Sequence, residues 1–386
     1  MPLLKKVYYL CYFDIPEHES QQRNYVLSAV TKSSYICKAL VKAGCEVEIV
    51  SAAGTCGNTF CKGSVTELSE HITLRLFDAK PAGNLPKRVL ARHFLKKQLK
   101  EYLLKTVTEN DVLLVYHSLA YMDLVRSVKA KNSPFLILEA NEVYSDVTNN
   151  EKTRPAEMQF LQSADAYILS TELLREKVNP DNKPFTVNYG VFAPEKTCGA
   201  PLFQDGKIHC VYAGVLEPCK GAQTAVAAAE FLPENYHIHI IGFGSEQDTQ
   251  AVKDQIDAVS KKTLCTVTYD GKYSGDDYLQ FLQSCQVGFV TQSTDAAFNE
   301  TSFPSKVLSY LSNGLRVVSV RIKAIEVSKV SDLMYFYDGN SPQAVADAVK
   351  SIDFTDEYDS RSVLRDLDTA FIADCRELTE HEGIKE

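Results

Sequence analysis

Apolar and polar positions in the first half of the chain alternate between the period of strands and the period of helices. Residues 5–13 form an apolar run that predicts a buried strand. Residues 25–43 carry apolar side chains at helical spacing, and residues 46–50 predict a second strand. Strand, helix and strand within about fifty residues form a βαβ unit, which implies a parallel sheet. Further strands are predicted at 111–117, 134–139, 164–170 and 185–190.

The second half of the chain restarts this alternation after a stretch without periodicity. Residues 191–207 contain two prolines and two glycines, and we place a domain boundary there. Strands are predicted at 208–213, 237–241, 264–269, 287–291 and 315–320, and helices at 222–231, 278–284, 342–351 and 360–380. The pattern predicts an α/β protein with two βα domains, and the cleft between two such domains is a favoured ligand site.

Residues 299–320 run from a polar loop into a short helix and then into a buried strand. Ser305 and Lys306 stand where the helix begins, and Gly314 follows its end, which is the preferred place for glycine. Free N–H groups at a helix start, together with a hydroxyl and a cation, suit a phosphate or diphosphate. An ordinary capped helix with a surface lysine has the same pattern.

A second loop, at residues 214–221, also lies between a predicted strand and a helix. Gly214 lets the backbone approach a ligand closely, and Lys220 stands at the helix start. Two lysines at helix starts that follow strand ends of one sheet suit a bridging diphosphate, although a structural glycine turn remains the alternative. Gly242, Phe243 and Gly244 add a third glycine-rich strand end.

A basic helix is predicted at residues 85–107. Its cations are Lys87, Arg88, Arg92, His93, Lys96, Lys97, Lys100 and Lys105, and the apolar residues expected on one face are Val89, Leu95, Leu99, Tyr102 and Leu103. A basic amphipathic helix is a candidate for contact with an anionic membrane surface. A solvated charged face over a buried stripe fits the pattern equally well.

Polar residues lie at or just after the carboxyl ends of two of the strands predicted in the first half, namely His117, Glu139, Asn141 and Glu142. Ligands of open parallel sheets bind outside the carboxyl ends of the strands, so these residues are site candidates. Structural groups with satisfied partners are the alternative at each position.

Charge is distributed unevenly along the chain. Residues 1–190 carry 24 basic and 21 acidic side chains, whereas residues 191–386 carry 17 and 29. A nucleic-acid partner is therefore not expected for the acidic half. No apolar stretch of about 18 residues predicts a membrane span.

The remaining composition favours a cytoplasmic protein. The first strand is followed by acidic residues rather than by a cleavage site, so a signal peptide is not predicted. The eleven cysteines form no CxxC pair, the histidines lack zinc-type spacing, and we expect reduced thiols. No GxGxxG follows the first strand, so the nicotinamide fingerprint is absent.

Four segments of the second half resemble the donor domain of glycosyltransferase family 4 in their order and spacing, namely residues 214–221, 240–246, 303–306 and 313–318. Residues 163–166 and 187–191 are similar to the end of that family's first domain. The resemblance covers most of residues 110–350, and the nearest subgroup is similar to the bacterial enzymes that build capsule and O-antigen repeat units.

The resemblance implies a GT-B fold, with two Rossmann-like domains whose parallel sheets face each other across a cleft. Residues 1–195 would bind the acceptor, residues 196–358 the nucleotide-sugar, and the helix of residues 359–386 would pack back on the first domain. No metal or other cofactor is expected. The donor-binding residues implied are Gly214, Lys220, Gly242, Phe243, Gly244, Glu300, Thr301, Ser302, Phe303, Pro304, Ser305 and Lys306.

The sequence departs from the family at two places. The usual Glu-x7-Glu pair falls on Thr301 and Ser309, and Glu300, one residue earlier, is the candidate substitute. The glycine-rich loop usual after the first strand is replaced by the region of residues 23–25. These departures affect the residues expected to hold the donor sugar.

The implied reaction moves a sugar from a nucleotide-sugar, UDP before GDP, to a lipid-linked saccharide at the inner face of the cell membrane. Lys220 and Lys306 would stabilise the departing diphosphate. Glu142 or His117 would serve as the base of an inverting reaction, and we favour retention, which needs none. The residues expected at the membrane are Lys87, Arg88, Arg92, Lys96, Lys97 and Lys100. A nucleotide-sugar epimerase and an impaired nucleotide-sugar binding protein are the competing hypotheses.

Overall fold

The computed structural model describes residues 4–294 and 302–380, and the chain divides into two compact units. The first unit comprises residues 1–191 together with 369–386, and the second comprises residues 192–368. Each unit is built around one sheet of strands with helices between them.

Eight strands form the sheet of the first unit. They are β1 (Lys5–Cys11), β2 (Cys45–Ser51), β3 (Ser64–Ser69), β4 (Ile72–Leu76), β5 (Val112–Tyr116), β6 (Phe135–Ala140), β7 (Ala166–Leu169) and β8 (Phe185–Val187). Their order is β3-β4-β2-β1-β5-β6-β7-β8, and every neighbouring pair is parallel except β3 and β4. The β3–β4 hairpin was not predicted, because β3 exposes every second residue and has little apolar signal.

Six α-helices lie wholly within the described residues of the first unit. They are α1 (Leu27–Lys42), α2 (Leu85–Thr106), α3 (Met122–Asn132), α4 (Tyr144–Val147), α5 (Arg154–Gln162) and α6 (Leu173–Val178). The basic helix α2 joins the core through Leu95, Leu99 and Leu103, as expected. Val89 was expected on the same face but is 60% exposed, because the first turns of α2 lie outside this contact.

The sheet of the second unit has six strands. They are β9 (Ile208–Val215), β10 (Tyr236–Phe243), β11 (Thr266–Gly271), β12 (Val287–Val290), β13 (Arg316–Val320) and β14 (Met334–Tyr337), in the order β11-β10-β9-β12-β13-β14 with all pairs parallel. The helices are α7 (Ala222–Ala228), α8 (Glu246–Val259), α9 (Gly275–Gln283), α10 (Ser305–Ser312), α11 (Lys323–Glu326) and α12 (Pro342–Lys350). The two largely parallel sheets confirm the predicted α/β class.

The last helix, α13 (Ser360–Glu380), extends from the second unit into the first. Within the first unit, the ring of Phe371 stacks on Tyr35 with centroids 5.6 Å apart. Thr186 Oγ1 donates a hydrogen bond of 2.6 Å to Asp374. The C-terminal helix therefore packs on the first unit, as the fold class predicted.

Two further expectations concern membrane spans and cysteines. Among residues 4–294 and 302–380, no helix is both long and apolar enough to cross a bilayer. All eleven cysteines are free thiols, and most are buried.

Candidate functional site

The carboxyl ends of β9 and β10 meet at two glycines. Gly214 and Gly242 are partners in the parallel register, and a Cβ atom on Gly242 would lie 1.8 Å from the Gly214 carbonyl oxygen. Gly214 has a φ of +151°, and a Cβ atom there would lie 2.7 Å from Lys306 Cε. Glycine is therefore required at both positions for the strands and Lys306 to approach this closely.

Lys306 is the second residue of α10, and its ammonium lies at this edge of the sheet. Nζ is 3.5 Å from the centre of the Tyr212 ring, a cation–π contact. Burial holds the pKa of Lys306 well below its ordinary value, and the like charge of Lys220 lowers it further. Within the described part of the chain, Lys306 forms no ion pair. Lys306 in the first turn of α10 and Lys220 in the loop before α7 are two neighbouring cations, which form a site that an anion would stabilise.

Hydrogen bonds from two side-chain hydroxyl groups fix the loop that carries Lys220. The hydroxyl of Tyr212 lies 2.7 Å from the carbonyl oxygen of Val215 and 3.0 Å from that of Lys220, so it closes the loop on itself. Thr291 Oγ1 donates to the carbonyl of Gly221 at 2.7 Å. Gly221 has a φ of +89°, and a Cβ there would lie 1.9 Å from Thr291 O, so this turn also requires glycine.

The helix that carries Lys306 is fixed by Tyr310. Its hydroxyl accepts from the backbone N–H of Ala213 at 2.9 Å and donates to the carbonyl of Phe289 at 3.3 Å. Sequence reasoning missed Tyr212, Thr291 and Tyr310. The available signal was a tyrosine inside an otherwise apolar strand or helix face, since a buried hydroxyl needs a partner.

The other predicted donor residues surround this edge or lie outside the described residues. Ser302, Phe303 and Pro304 are half-exposed and precede α10, and Ser305 is its exposed first residue. Pro304 is the cap residue before the helix.

Phe243 is 55% exposed and lies 5.1 Å from Lys272 Nζ, and Gly244 follows it. Glu300 and Thr301 lie outside the described residues. Ser309 lies within α10, with its hydroxyl 3.3 Å from that of Tyr278.

In the first unit, His117 directly follows β5 and is almost completely buried. Its Nε2 lies 3.3 Å from Glu157 Oε1, and its ring centre lies 5.0 Å from that of Tyr144. Burial lowers the pKa of His117, and the Glu157 charge opposes this shift. Glu157 also accepts from the backbone N–H groups of Tyr144 and Ser145, at 2.7 and 2.8 Å.

Glu139 lies near the end of β6 and Glu142 follows that strand, but the two carboxylates have different surroundings. Glu142 is half-buried, and burial followed by the charge of Glu157 raises its pKa. Glu139 is fully buried, where it accepts hydrogen bonds from Tyr9 and Asn141 and lies 3.5 Å from Lys32 Nζ. The satisfied partners of Glu139 and Asn141 indicate an internal network, which leaves Glu142 as the available carboxylate.

A cavity of about 320 Å³ opens beside these residues within the first unit. It is lined by Tyr12, Asn24, Tyr25, Val26, Ala29, Ser33, Tyr116 and Tyr144. Tyrosine faces and hydroxyls together suit a small polar ring, such as a sugar. The pocket was not predicted, because its tyrosines are far apart in sequence.

The segment that replaces a glycine-rich loop borders this cavity. Arg23 is buried and donates to the carbonyl oxygens of Ala53 and Phe77 at 2.9 and 3.0 Å. Asn24 and Tyr25 then line the cavity. The hydrogen bonds of the Arg23 guanidinium thus fix the loop at residues 23–25.

The start of α2 exposes apolar and basic side chains together. Leu85, Val89 and Leu90 are 74%, 60% and 67% exposed. Lys87, Arg88, Arg92, Lys97 and Lys100 are exposed on the same helix, whereas Lys96 is half-buried and lies 3.7 Å from Asp123. We call this surface the α2 patch.

Residues 207–352 match the family model described as Glycosyl transferases group 1. The match covers every strand of the second unit, including both lysine-bearing loops. No curated protein sequence matches the chain.

Solved structures are similar over nearly the whole chain. One is the E. coli structure named trehalose-6-phosphate and bound with UDP-2-fluoro glucose, at 12% identity and a TM-score of 0.67, covering 97% of this chain and 99% of that chain. HepE from Anabaena, in complex with UDP and glucose, has 12% identity and a TM-score of 0.63, covering 97% and 98%. Sucrose-phosphate synthase from Thermosynechococcus elongatus has 15% identity and a TM-score of 0.60, covering 97% and 94%. These similarities confirm the predicted GT-B fold.

The family match and the fold together support the predicted glycosyltransferase enzyme. At sequence identities this low, the similar structures establish the fold and assign no role to individual residues of this chain.

Proposed function

We propose that this chain transfers a sugar from a UDP-sugar to a saccharide acceptor and binds the departing diphosphate at Lys306 and Lys220. The observation that carries the proposal is the Lys306 ammonium, held against Tyr212 and beneath Gly214 beside a second cation. A cation in such surroundings gains more from an arriving anion than a solvated one does, because little water competes for it.

Charge on the diphosphate grows as the bond to the sugar breaks, and the sugar becomes oxocarbenium-like. Lys306 and Lys220 are already in place before the reaction, so the free energy of reorganisation is small. The N–H groups at the start of α10 add a partial positive charge. The transfer proposed therefore needs no metal ion at the diphosphate.

The donor proposed for the first test is UDP-glucose. The E. coli structure contains UDP-2-fluoro glucose and the Anabaena structure contains UDP and glucose, and both have this chain's fold. GDP-sugars are the second class to test.

The acceptor proposed is a saccharide in the cavity of the first unit. The cavity offers tyrosine faces on which a sugar ring can pack. Glu142 follows β6, which pairs with β5, and β5 ends at the cavity residue Tyr116. We favour a retaining transfer on the leaving-group face, in which Glu142 orients the acceptor hydroxyl without removing its proton in a separate step. His117 is buried against Tyr144, so it would fix the position of the Tyr144 ring and would not contact the substrate.

A lipid-linked acceptor and peripheral binding to an anionic membrane are proposed from the α2 patch. Apolar side chains at 60–74% exposure stand among exposed lysines and arginines there, which is the composition of an interfacial helix. Cell-surface polysaccharide synthesis is the process we propose for this reaction, because the family 4 resemblance with its capsule and O-antigen subgroup implies it.

The experiment is a nucleotide-release assay with a panel of UDP-sugars and GDP-sugars, with and without a membrane extract. Release that requires the extract supports the transferase. Conversion of the sugar without release would favour an epimerase, and binding without either would favour an impaired binding protein. The epimerase would give the α2 patch no role, since it needs no acceptor.

A further inference from the structure

Three histidines lie together on one face of the second unit's sheet, near the amino ends of two strands. His209 is the second residue of β9 and is the register partner of His237 on β10. His239 is two residues further along β10 and therefore shares that face. One ring nitrogen from each lies within 4.8 Å of the others. The His-x-His pair in β10 was the sequence signal, and the zinc-type spacings considered did not include it.

Two of these histidines form a continuous chain with two carboxylates. Asp205 Oδ1 lies 2.9 Å from His209 Nε2, and His209 Nδ1 lies 2.9 Å from His239 Nε2. His239 Nδ1 in turn lies 3.0 Å from Asp270 Oδ2. Each carboxylate accepts, so it requires the N–H of the ring beside it. Two neutral rings arranged in this way direct two unprotonated nitrogens at each other.

The lone pairs of these two nitrogens repel each other unless a positive charge lies between them. Either one extra proton or a metal ion can supply it. A histidine ligand usually donates its other ring N–H to a carboxylate, which fixes the tautomer that exposes the ligating nitrogen. Both His209 and His239 have this arrangement, through Asp205 and Asp270.

The surroundings favour an ion with nitrogen ligands. His209 and His239 are 2% and 1% exposed, and the ring of Phe203 stacks on both, at 4.2 and 4.6 Å between centres. His237 is half-exposed, with Nε2 3.0 Å from Thr268 Oγ1. A shared proton would involve only the nitrogens of His209 and His239, whereas a metal ion would also use a ring nitrogen of His237.

We propose that His209 Nδ1, His239 Nε2 and a ring nitrogen of His237 bind a divalent transition-metal ion, zinc in the first instance, with a water completing a tetrahedron. Zinc–nitrogen bonds of about 2.0–2.1 Å place tetrahedral ligands roughly 3.3 Å apart, so the 2.9 Å pair opens by a few tenths of an ångström. The two aspartates balance the charge of the ion.

The proposed ion is structural rather than catalytic. His209 lies five residues before Gly214 on the same strand, which is roughly 16 Å at the rise of a β-strand. The ion would hold the amino ends of β9 and β10 together, while the carboxyl ends of the same strands carry the candidate diphosphate site. The proposal is therefore independent of the proposed transfer.

The test uses the full chain, stripped with a chelator and desalted, and titrated with Co²⁺ as a spectroscopic substitute and with Zn²⁺ by calorimetry. We expect one ion per chain, the visible absorption of tetrahedral Co²⁺, and a higher unfolding temperature with Zn²⁺. His209→Gln and His239→Gln should abolish binding. Asp270→Asn should weaken it by about 10–100-fold, because it acts through His239. His71→Gln is the matched control and should bind as the unaltered chain does, because His71 lies on the first unit, with its side chain 41% exposed.

A measurement on the unaltered chain covers the case in which a variant fails to fold. Nitrogen NMR of the histidine rings should show His209 Nδ1 and His239 Nε2 shifting together on addition of one equivalent of Zn²⁺. The proposal is overturned if Co²⁺ and Zn²⁺ leave the stripped chain unchanged, since a shared proton then accounts for the pair. It is also overturned if binding persists in a folded His209→Gln, His239→Gln double variant.

Discussion

Gly214 leaves the space that the Lys306 side chain occupies, because a Cβ atom at position 214 would lie 2.7 Å from Lys306 Cε and 3.1 Å from Nζ. The pair joins the carboxyl end of β9 to the start of α10, which are 92 positions apart in the printed sequence. The position of the Lys306 ammonium therefore depends on the absence of a side chain at residue 214.

Gly214→Ala should weaken UDP binding by at least about 10-fold, because the methyl group displaces the Lys306 ammonium. The positive φ at this position also costs on the order of 1–3 kcal/mol of stability. Gly206→Ala is the matched control, because Gly206 has a φ of +75° but a Cβ atom there would meet no atom within 4 Å. Calorimetry should show loss of UDP affinity for Gly214→Ala alone, and equal losses in both variants would contradict the packing argument.

The unliganded chain should gain stability with rising pH through Lys306. Its folded-state pKa lies below the unfolded value, so the unfolded state binds more protons between the two pKa values. Stability therefore rises with pH in that window, by at most about 1.4 kcal/mol per pH unit. Lys306→Met removes this contribution.

Urea unfolding of both proteins from neutral pH to about pH 10 measures the difference in slope, since other groups cancel in the comparison. An identical pH dependence of the two proteins would show that Lys306 is an ordinary lysine. UDP should abolish the difference in slope, because the diphosphate restores the charged form.

Glu142→Gln separates retention from inversion. If Glu142 only orients the acceptor, the rate should fall less than about 10-fold, whereas loss of a general base costs about 10²–10⁴-fold. Glu151→Gln, an exposed carboxylate of the same unit, is the control. Proton NMR of the product anomer, taken with the rate, decides the question, and an inverted product with a large loss of rate would overturn the retaining assignment.

The α2 patch should bind anionic vesicles. Replacing Lys87, Arg88 and Arg92 together with alanine should lower vesicle affinity by roughly 3 kcal/mol, or about 150-fold, since each cation contributes about 1 kcal/mol. Lys253, Lys261 and Lys262, replaced together on the second unit, are the charge-matched control. Sedimentation with phosphatidylglycerol vesicles measures this, and equal affinity of the two triple variants would remove the membrane role of α2.

Much of the fold followed from local pattern. Apolar runs predicted most strands of both sheets, and glycine after residue 313 marked the end of α10, where Gly314 has a φ of +85°. The β3–β4 hairpin was not predicted, because an edge hairpin with one exposed face has few apolar residues in its sequence. Val89 was wrongly expected in the core, because helical period does not say where along a helix the core begins.

The site was predictable only where its chemistry lay within short segments. The lysines of the two loops follow strand ends, and strand ends meet at one edge of a parallel sheet. Tyr212 and Tyr310 support those loops through contacts that no spacing rule encodes. The three histidines needed the β9–β10 register, which brings together His209 and His237.

Nucleotide release from UDP-sugar, catalysed by Lys306→Ala and by Lys306→Arg, tests the central claim most directly. Lys262→Ala, an exposed lysine of the second unit, is the control. We predict that Lys306→Ala reduces the rate constant for release by on the order of 10²–10³-fold, because no cation then stabilises the charge on the departing diphosphate. Lys306→Arg, which keeps a positive charge, should restore part of the rate. Release by folded Lys306→Ala at the rate of the unaltered chain would contradict the account.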